Sequence, residues 1–127
     1  MRPARQTATH RRQRAQRRGR FAEWLCLWHL RLWGWRILAK GWRCPSGEID
    51  ILARRGRVLA IIEVKSRNQL DAAASALSPR QRRRITRAAE AFLLSRPDLA
   101  RLEPRFDLML VAPLRVPRHW PGAWRAD

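Results

Sequence analysis

"GEIDILARRGRVLAIIEVK" runs from Gly47 to Lys65 and holds two strand-like segments around an Arg-Arg-Gly-Arg break. Gly47–Ala53 and Val58–Lys65 are rich in isoleucine, leucine and valine, and a glycine-containing break between such runs is a hairpin signal. A two-residue loop pairs Arg54 with Arg57; a four-residue loop pairs Ala53 with Val58. Either register sets Glu48 opposite Glu63 and Asp50 opposite Ile61. Side chains alternate along a strand. Glu48, Asp50, Glu63 and Lys65 therefore share one face, and Ile49, Ile51, Ile62 and Val64 take the other, the expected core face. A three-residue loop would send Glu63 to the face opposite Asp50.

Charges on core strands are costly unless paired, hydrogen-bonded or bound to an ion. Like charges opposed across strands destabilise a sheet, and one lysine cannot neutralise three carboxylates. A divalent cation can, and a site with few protein ligands suits magnesium. The competing explanation is a solvated sheet face with Glu–Lys pairing. The pattern by itself leaves both open.

Outward from the hairpin, residues 1–18 are arginine- and glutamine-rich with little to bury, the composition of a disordered basic tail. Gly19–Trp33 reads as a helix whose stripe of Phe21, Trp24, Leu25, Trp28 and Leu32 is expected in the core rather than as a base-stacking platform. Gly34 ends it, and Trp35–Lys40 reads as a short strand. "CPSG", Cys44–Gly47, is a turn. Ser66–Leu77 reads as a loop with room for a short helix. "SPRQRRRITRAAEAFLLS", Ser78–Ser95, is the clearest helix, with Ser78 at the N-cap and Pro79 in the first turn. Ser78 and Gln81 make a capping box, and Ile85, Ala88, Ala89, Phe92 and Leu93 form the buried stripe. "RFDLMLVA", Arg105–Ala112, is a last strand. Residues 113–127, rich in proline and tryptophan, read as an irregular tail. The folded domain is thus 19–112, an α/β sandwich in the order α-β-β-β-α-β.

The 127 residues carry a net charge of +18, which favours a polyanionic partner, nucleic acid first and an anionic membrane surface second. Among 28 basic residues only Lys40 and Lys65 are lysines; arginine's planar fork suits phosphate. Cys26 and Cys44 are expected as free thiols in a reducing cytoplasm. With His29 they lack the paired spacing of a structural zinc site. Glu23, His29, Arg31 and Arg36 interrupt the apolar run after Gly19, which argues against a spanning helix, and no cleavage site follows it. The expectation is a soluble, cytoplasmic protein without a membrane partner.

"GEIDILA", then "EVK" beginning thirteen residues after the aspartate, then "RFDLMLV", together resemble the YraN family of predicted bacterial endonucleases. That family is similar to the PD-(D/E)xK nucleases and, among them, to archaeal Holliday-junction resolvases. The resemblance covers Gly19 to Val111. It implies a restriction-endonuclease-like α-β-β-β-α-β core, a mixed sheet flanked by helices, and a Mg²⁺ or Mn²⁺ cofactor. It implies Asp50 and Glu63 as catalytic metal ligands and Lys65 as the lysine that steadies the attacking water or the scissile phosphate. Glu23 matches an outer metal ligand on the first helix, and Glu48 an accessory glutamate. Gln81 falls where relatives usually carry lysine, and Ile49 where the literal proline would stand; Asp107 matches a structural position. The implied function is a metal-dependent endonuclease acting on DNA, branched DNA included, with the oligomeric state open and a homodimer among the options. The alternative is a nucleic-acid-binding protein whose nuclease-like site is idle or needs a partner. A membrane-surface protein is the third reading, and it leaves the acidic trio without a use.

Overall fold

A computed structural model describes residues 19–66 and 77–126. Helix α1 covers 19–32, followed by β1 (Arg36–Cys44), β2 (Gly47–Arg55) and β3 (Val58–Ser66). Helix α2 (Pro79–Ser95) leads through a single 3-10 turn (Pro97–Leu99) into β4 (Glu103–Val111) and β5 (Arg118–Trp124). The expected basic tail and most of the expected loop, residues 67–76, lie outside the described residues.

The strands form one mixed sheet in the order β1-β2-β3-β4-β5. All neighbours are antiparallel except β3 and β4, which run parallel and are joined through α2. The α-β-β-β-α-β order read from the sequence is therefore present, with one strand added. Residues 113–127 are not irregular throughout: β5 pairs with β4 along the sheet edge. Its prolines obscured it. Pro113 and Pro117 precede the strand, and Pro121 sits in the irregular stretch between the paired Trp120 and Trp124, at an edge where a missing N–H is tolerated.

The β2–β3 hairpin turns on Gly56 and Arg57, with Arg55 paired to Val58. Gly56 has φ 60° at the first loop position, where tight hairpins want a positive φ that glycine adopts without strain. The register is thus shifted by two residues from the expected one. An even shift preserves the faces, but Asp50 now comes level with Glu63 instead of Ile61.

Both faces of the sheet are covered, as expected of a mixed sheet flanked by helices. On one side Ile85, Ala88 and Phe92 of α2 pack with Leu52, Leu59, Ile61 and Leu108. On the other, Ala22, Cys26, Leu27 and Leu30 of α1 pack with Ile51, Ala60, Ile62 and Met109. The predicted core stripe of α1 is corrected. Phe21, Trp24 and Trp28 are 60%, 53% and 49% exposed, and their rings meet at 6.0 Å and 6.4 Å on the outer surface. This helix is apolar nearly all round, so periodicity offers two stripes. The one carrying small residues lies against the sheet.

Termini of both helices follow their sequence signals. Gly34, at φ 85°, lets the Trp35 N–H donate to the Leu30 carbonyl at 2.9 Å, a glycine-terminated helix end that turns the chain into β1. Ser78 Oγ accepts from the Gln81 N–H, and the Gln81 side chain accepts from the Ser78 N–H.

Candidate active site

The β2–β3 ladder pairs Ile51 with Ile62 and goes no further. Just beyond, the Asp50 carboxylate replaces a ladder partner: its Oδ2 accepts the Val64 N–H at 2.9 Å. Alternation breaks at the same point. Ile49 packs in the α2 layer and Ile51 in the α1 layer, which corrects the expectation that they share a face. Asp50 is turned into the opening between the strands, so its neighbours cannot keep a strict period of two.

Asp50 and Glu63 are close enough for each to act on the other's titration. Burial, and next the charge of Asp50, push Glu63 up to about 8. Burial also raises Asp50, against the lowering effect of the Val64 and Glu63 hydrogen bonds. Lys65 Nζ stands 3.7 Å from Glu63 Oε1, with both side chains mostly enclosed (17% and 16% exposed). A freely solvated Glu–Lys pair does not describe this enclosed arrangement.

Glu48 lies close enough to add repulsion at both carboxyls and pairs at the surface with Arg43 at 3.3 Å. Glu23 comes from α1; burial raises its pKa first, and Asp50's charge adds to that. The expected residues Glu23, Glu48, Asp50, Glu63 and Lys65 therefore converge. Among the described residues, however, no three of the His, Cys, Asp and Glu side chains are arranged to hold a metal ion together. The donor set is a carboxyl pair with glutamates outside it.

Sequence reasoning missed Lys40. It pairs with Ile51 across β1–β2 and its charge reaches Glu23. Both of the chain's lysines thus act on the acidic group, Lys40 at Glu23 and Lys65 at Glu63, and their rarity in an arginine-rich sequence was the available signal. Gln81 closes the α2 cap, its Oε1 accepting the Ser78 N–H. Asp107 is separate. It is fully buried and accepts two bonds from Arg105, one from His119 at 2.7 Å and one from the Gly122 N–H. Burial alone would raise its pKa, but these donors hold it below the usual carboxylate range. An acceptor-only carboxylate requires His119 to carry its proton on Nε2. Asp107 ties β5 to β4. Cys26 and Cys44 are free thiols; burial pushes Cys26 up to about 12, which leaves it unreactive.

Fold and site together define a class: a mixed α/β sheet between two helices, with an enclosed carboxyl pair and a lysine where its central strands part. Comparison with known proteins makes the assignment particular. Residues 22–111 match the model of the uncharacterised protein family UPF0102, and the chain belongs to that family, the one its motifs resemble under the name YraN. It is 56% identical over 119 residues to the UPF0102 protein of Paramagnetospirillum magneticum, covering 91% of this chain and 92% of that one. It is 51% identical over 111 residues to the UPF0102 protein of Parvibaculum lavamentivorans (87% and 84% covered). With the UPF0102 protein of Rhodopseudomonas palustris strain BisB18 it shares 47% identity over 125 residues (98% and 93% covered). Among the described residues no helix is long and apolar enough to cross a membrane.

Proposed function

We propose that this protein is a metal-dependent endonuclease acting on DNA in the cytoplasm. One observation carries the reading: Asp50, held by the Val64 N–H, and the enclosed Glu63 meet beside Lys65 in a chain of net charge +18. Two enclosed carboxyls beside a single lysine keep an excess of negative charge that a bound cation relieves. The donor set, all oxygen and few in number, fits Mg²⁺ or Mn²⁺. Asp50 and Glu63 would hold the ion, with Glu23 and Glu48 acting through its water ligands. When bound, such an ion lowers the pKa of water and relieves charge on a phosphate. Lys65 places a fixed positive charge where negative charge develops during phosphodiester cleavage. Arginines on the surface grip phosphates without reading sequence.

A second reading has its own support. Gln81 is committed to its cap and a third ligating side chain is missing among the described residues. Both favour a nucleic-acid-binding protein whose site works only once a partner completes it. Incubation with duplex, flap and four-way-junction DNA in Mg²⁺ or Mn²⁺, against an EDTA control, separates the two. Cation-dependent cleavage that Asp50→Asn abolishes supports the nuclease. Binding of all three substrates without cleavage supports the second reading.

A further inference from the structure

Helix α2 carries Arg82, Arg83 and Arg87 at the spacing of one helical face. That face borders a cavity of about 270 Å³, completed by Glu90 and by Trp124 and Arg125 at the end of β5. The cavity belongs to the α2 side of the sheet, since Trp124 packs in the same layer as Ile85 and Phe92. It is distinct from the carboxyl pair.

Two buried donors border it without an acceptor among the described residues, Arg82 Nε and Trp124 Nε1. Buried polar groups are nearly always hydrogen-bonded, so each exception calls for an explanation. Neither atom can be relieved by rotation alone. The Trp124 ring is fixed by stacking on Phe106, with centroids 4.1 Å apart. The Thr86 hydroxyl donates to the Arg82 carbonyl at 2.8 Å and accepts from neither orphan donor. Both orphans are donors, and four arginines face one glutamate around the cavity. What is missing is therefore an acceptor with negative charge.

We infer that this cavity binds a phosphate group, with Arg82 Nε and Trp124 Nε1 as fixed donors and Arg83, Arg87 and Arg125 supplying charge. A phosphate group offers several acceptor lone pairs, and a backbone phosphodiester no donor at all, and arginine meets it with paired bonds. The net charge of +18 favours nucleic-acid backbone as its source. The inference rests on the nuclease reading only for that choice of polymer.

Trp124→Phe keeps the ring on Phe106 and deletes one N–H. Arg82→Lys keeps the charge and deletes the Nε donor. The combined variant should bind inorganic phosphate and a short oligothymidylate roughly tenfold more weakly than wild type, at fixed ionic strength in EDTA, as loss of charge-assisted hydrogen bonds predicts. Its melting temperature should hold, because two unsatisfied donors are removed. Arg87→Gln, at an exposed position, should weaken both probes by a smaller factor and guards against a misfolded double variant. A loss on inorganic phosphate alone would assign the cavity to a free anion; a loss on both assigns it to backbone. The inference is overturned if the variants bind both probes like wild type, or if they lose affinity only for polyglutamate, which would mark an acidic protein as the ligand. Both probes are measured in EDTA, where no divalent cation is present for cleavage, so the test reads independently of the nuclease reading.

Discussion

Asp50 and Asp107 are both sunk in the sheet, yet their partners give opposite expectations. Asp50 accepts one backbone N–H and faces other carboxyls; Asp107 is saturated by Arg105, His119 and Gly122. Asparagine at 50 can still accept the Val64 N–H while removing a repelling charge. Asp50→Asn should therefore melt at or above the wild-type temperature in EDTA and lose its response to Mn²⁺. Asp107→Asn leaves Arg105 without its anion and should cost about 3–5 kcal/mol, read as a large drop in thermal midpoint. A collapse of Asp50→Asn with no metal response in wild type would make Asp50 a structural residue. Glu63 sets the pH dependence. Its folded pKa of about 8 lies above its ordinary 4.5, so the folded state keeps a proton that the unfolded state releases. Stability from this group is full below about 4.5 and falls as pH rises toward 8. Melting curves from pH 5 to 8.5 should show that decline in wild type and a flatter profile in Glu63→Gln. Mn²⁺ affinity should rise over the same interval, since the ion must displace the proton.

Elements show what was readable in the sequence and what was not. α2 was legible because Ser78, Pro79 and Gln81 state a start locally and the stripe Ile85, Ala88, Ala89, Phe92 follows one period. Replacing Ser78 with Ala should cost about 1 kcal/mol, a shift of a few degrees in thermal midpoint. The β2–β3 hairpin was legible to within its register, because parity survives a shift of two while the turn's centre depends on a φ at Gly56. Parity accounts for Glu63 and Lys65 sharing a face, but Asp50 joins them where the alternation breaks, with Ile49 and Ile51 in opposite layers. Three things were not local. The choice between two apolar stripes on α1 depends on which one the sheet can approach, and Phe21, Trp24 and Trp28 were misassigned for that reason. The pairing of β5 depends on β4 being free to accept it. Lys40 reaches Glu23 only through the fold. The exposed stripe allows a direct check: Trp24→Gln with Trp28→Gln should leave the melting temperature near wild type, where a cored stripe would lose several kcal/mol.

At the scale of the whole molecule, a net charge of +18 repels itself, and a polyanion that binds only the folded chain relieves that repulsion and stabilises it. Seven of the arginines fall between Arg2 and Arg18, outside the described residues. Their contribution is separable from the site because it depends on charge and salt, not on the geometry of Asp50 and Glu63. Each side chain that neutralises a duplex phosphate adds about 0.9 to the slope of log affinity against log salt. Replacing all seven with glutamine in the full-length chain should therefore weaken DNA binding at low salt and reduce the slope by up to about 6. Affinities of wild type and variant should converge as salt rises, since screening removes what the variant lacks. The melting temperature without DNA and Mn²⁺ affinity should stay near wild type, because neither depends on contact with phosphate. Fluorescence anisotropy of a labelled duplex across a salt series measures the slope directly. An unchanged slope would mean that this segment makes no phosphate contacts and that the folded domain alone, with the arginines of α2 foremost, carries the electrostatic affinity.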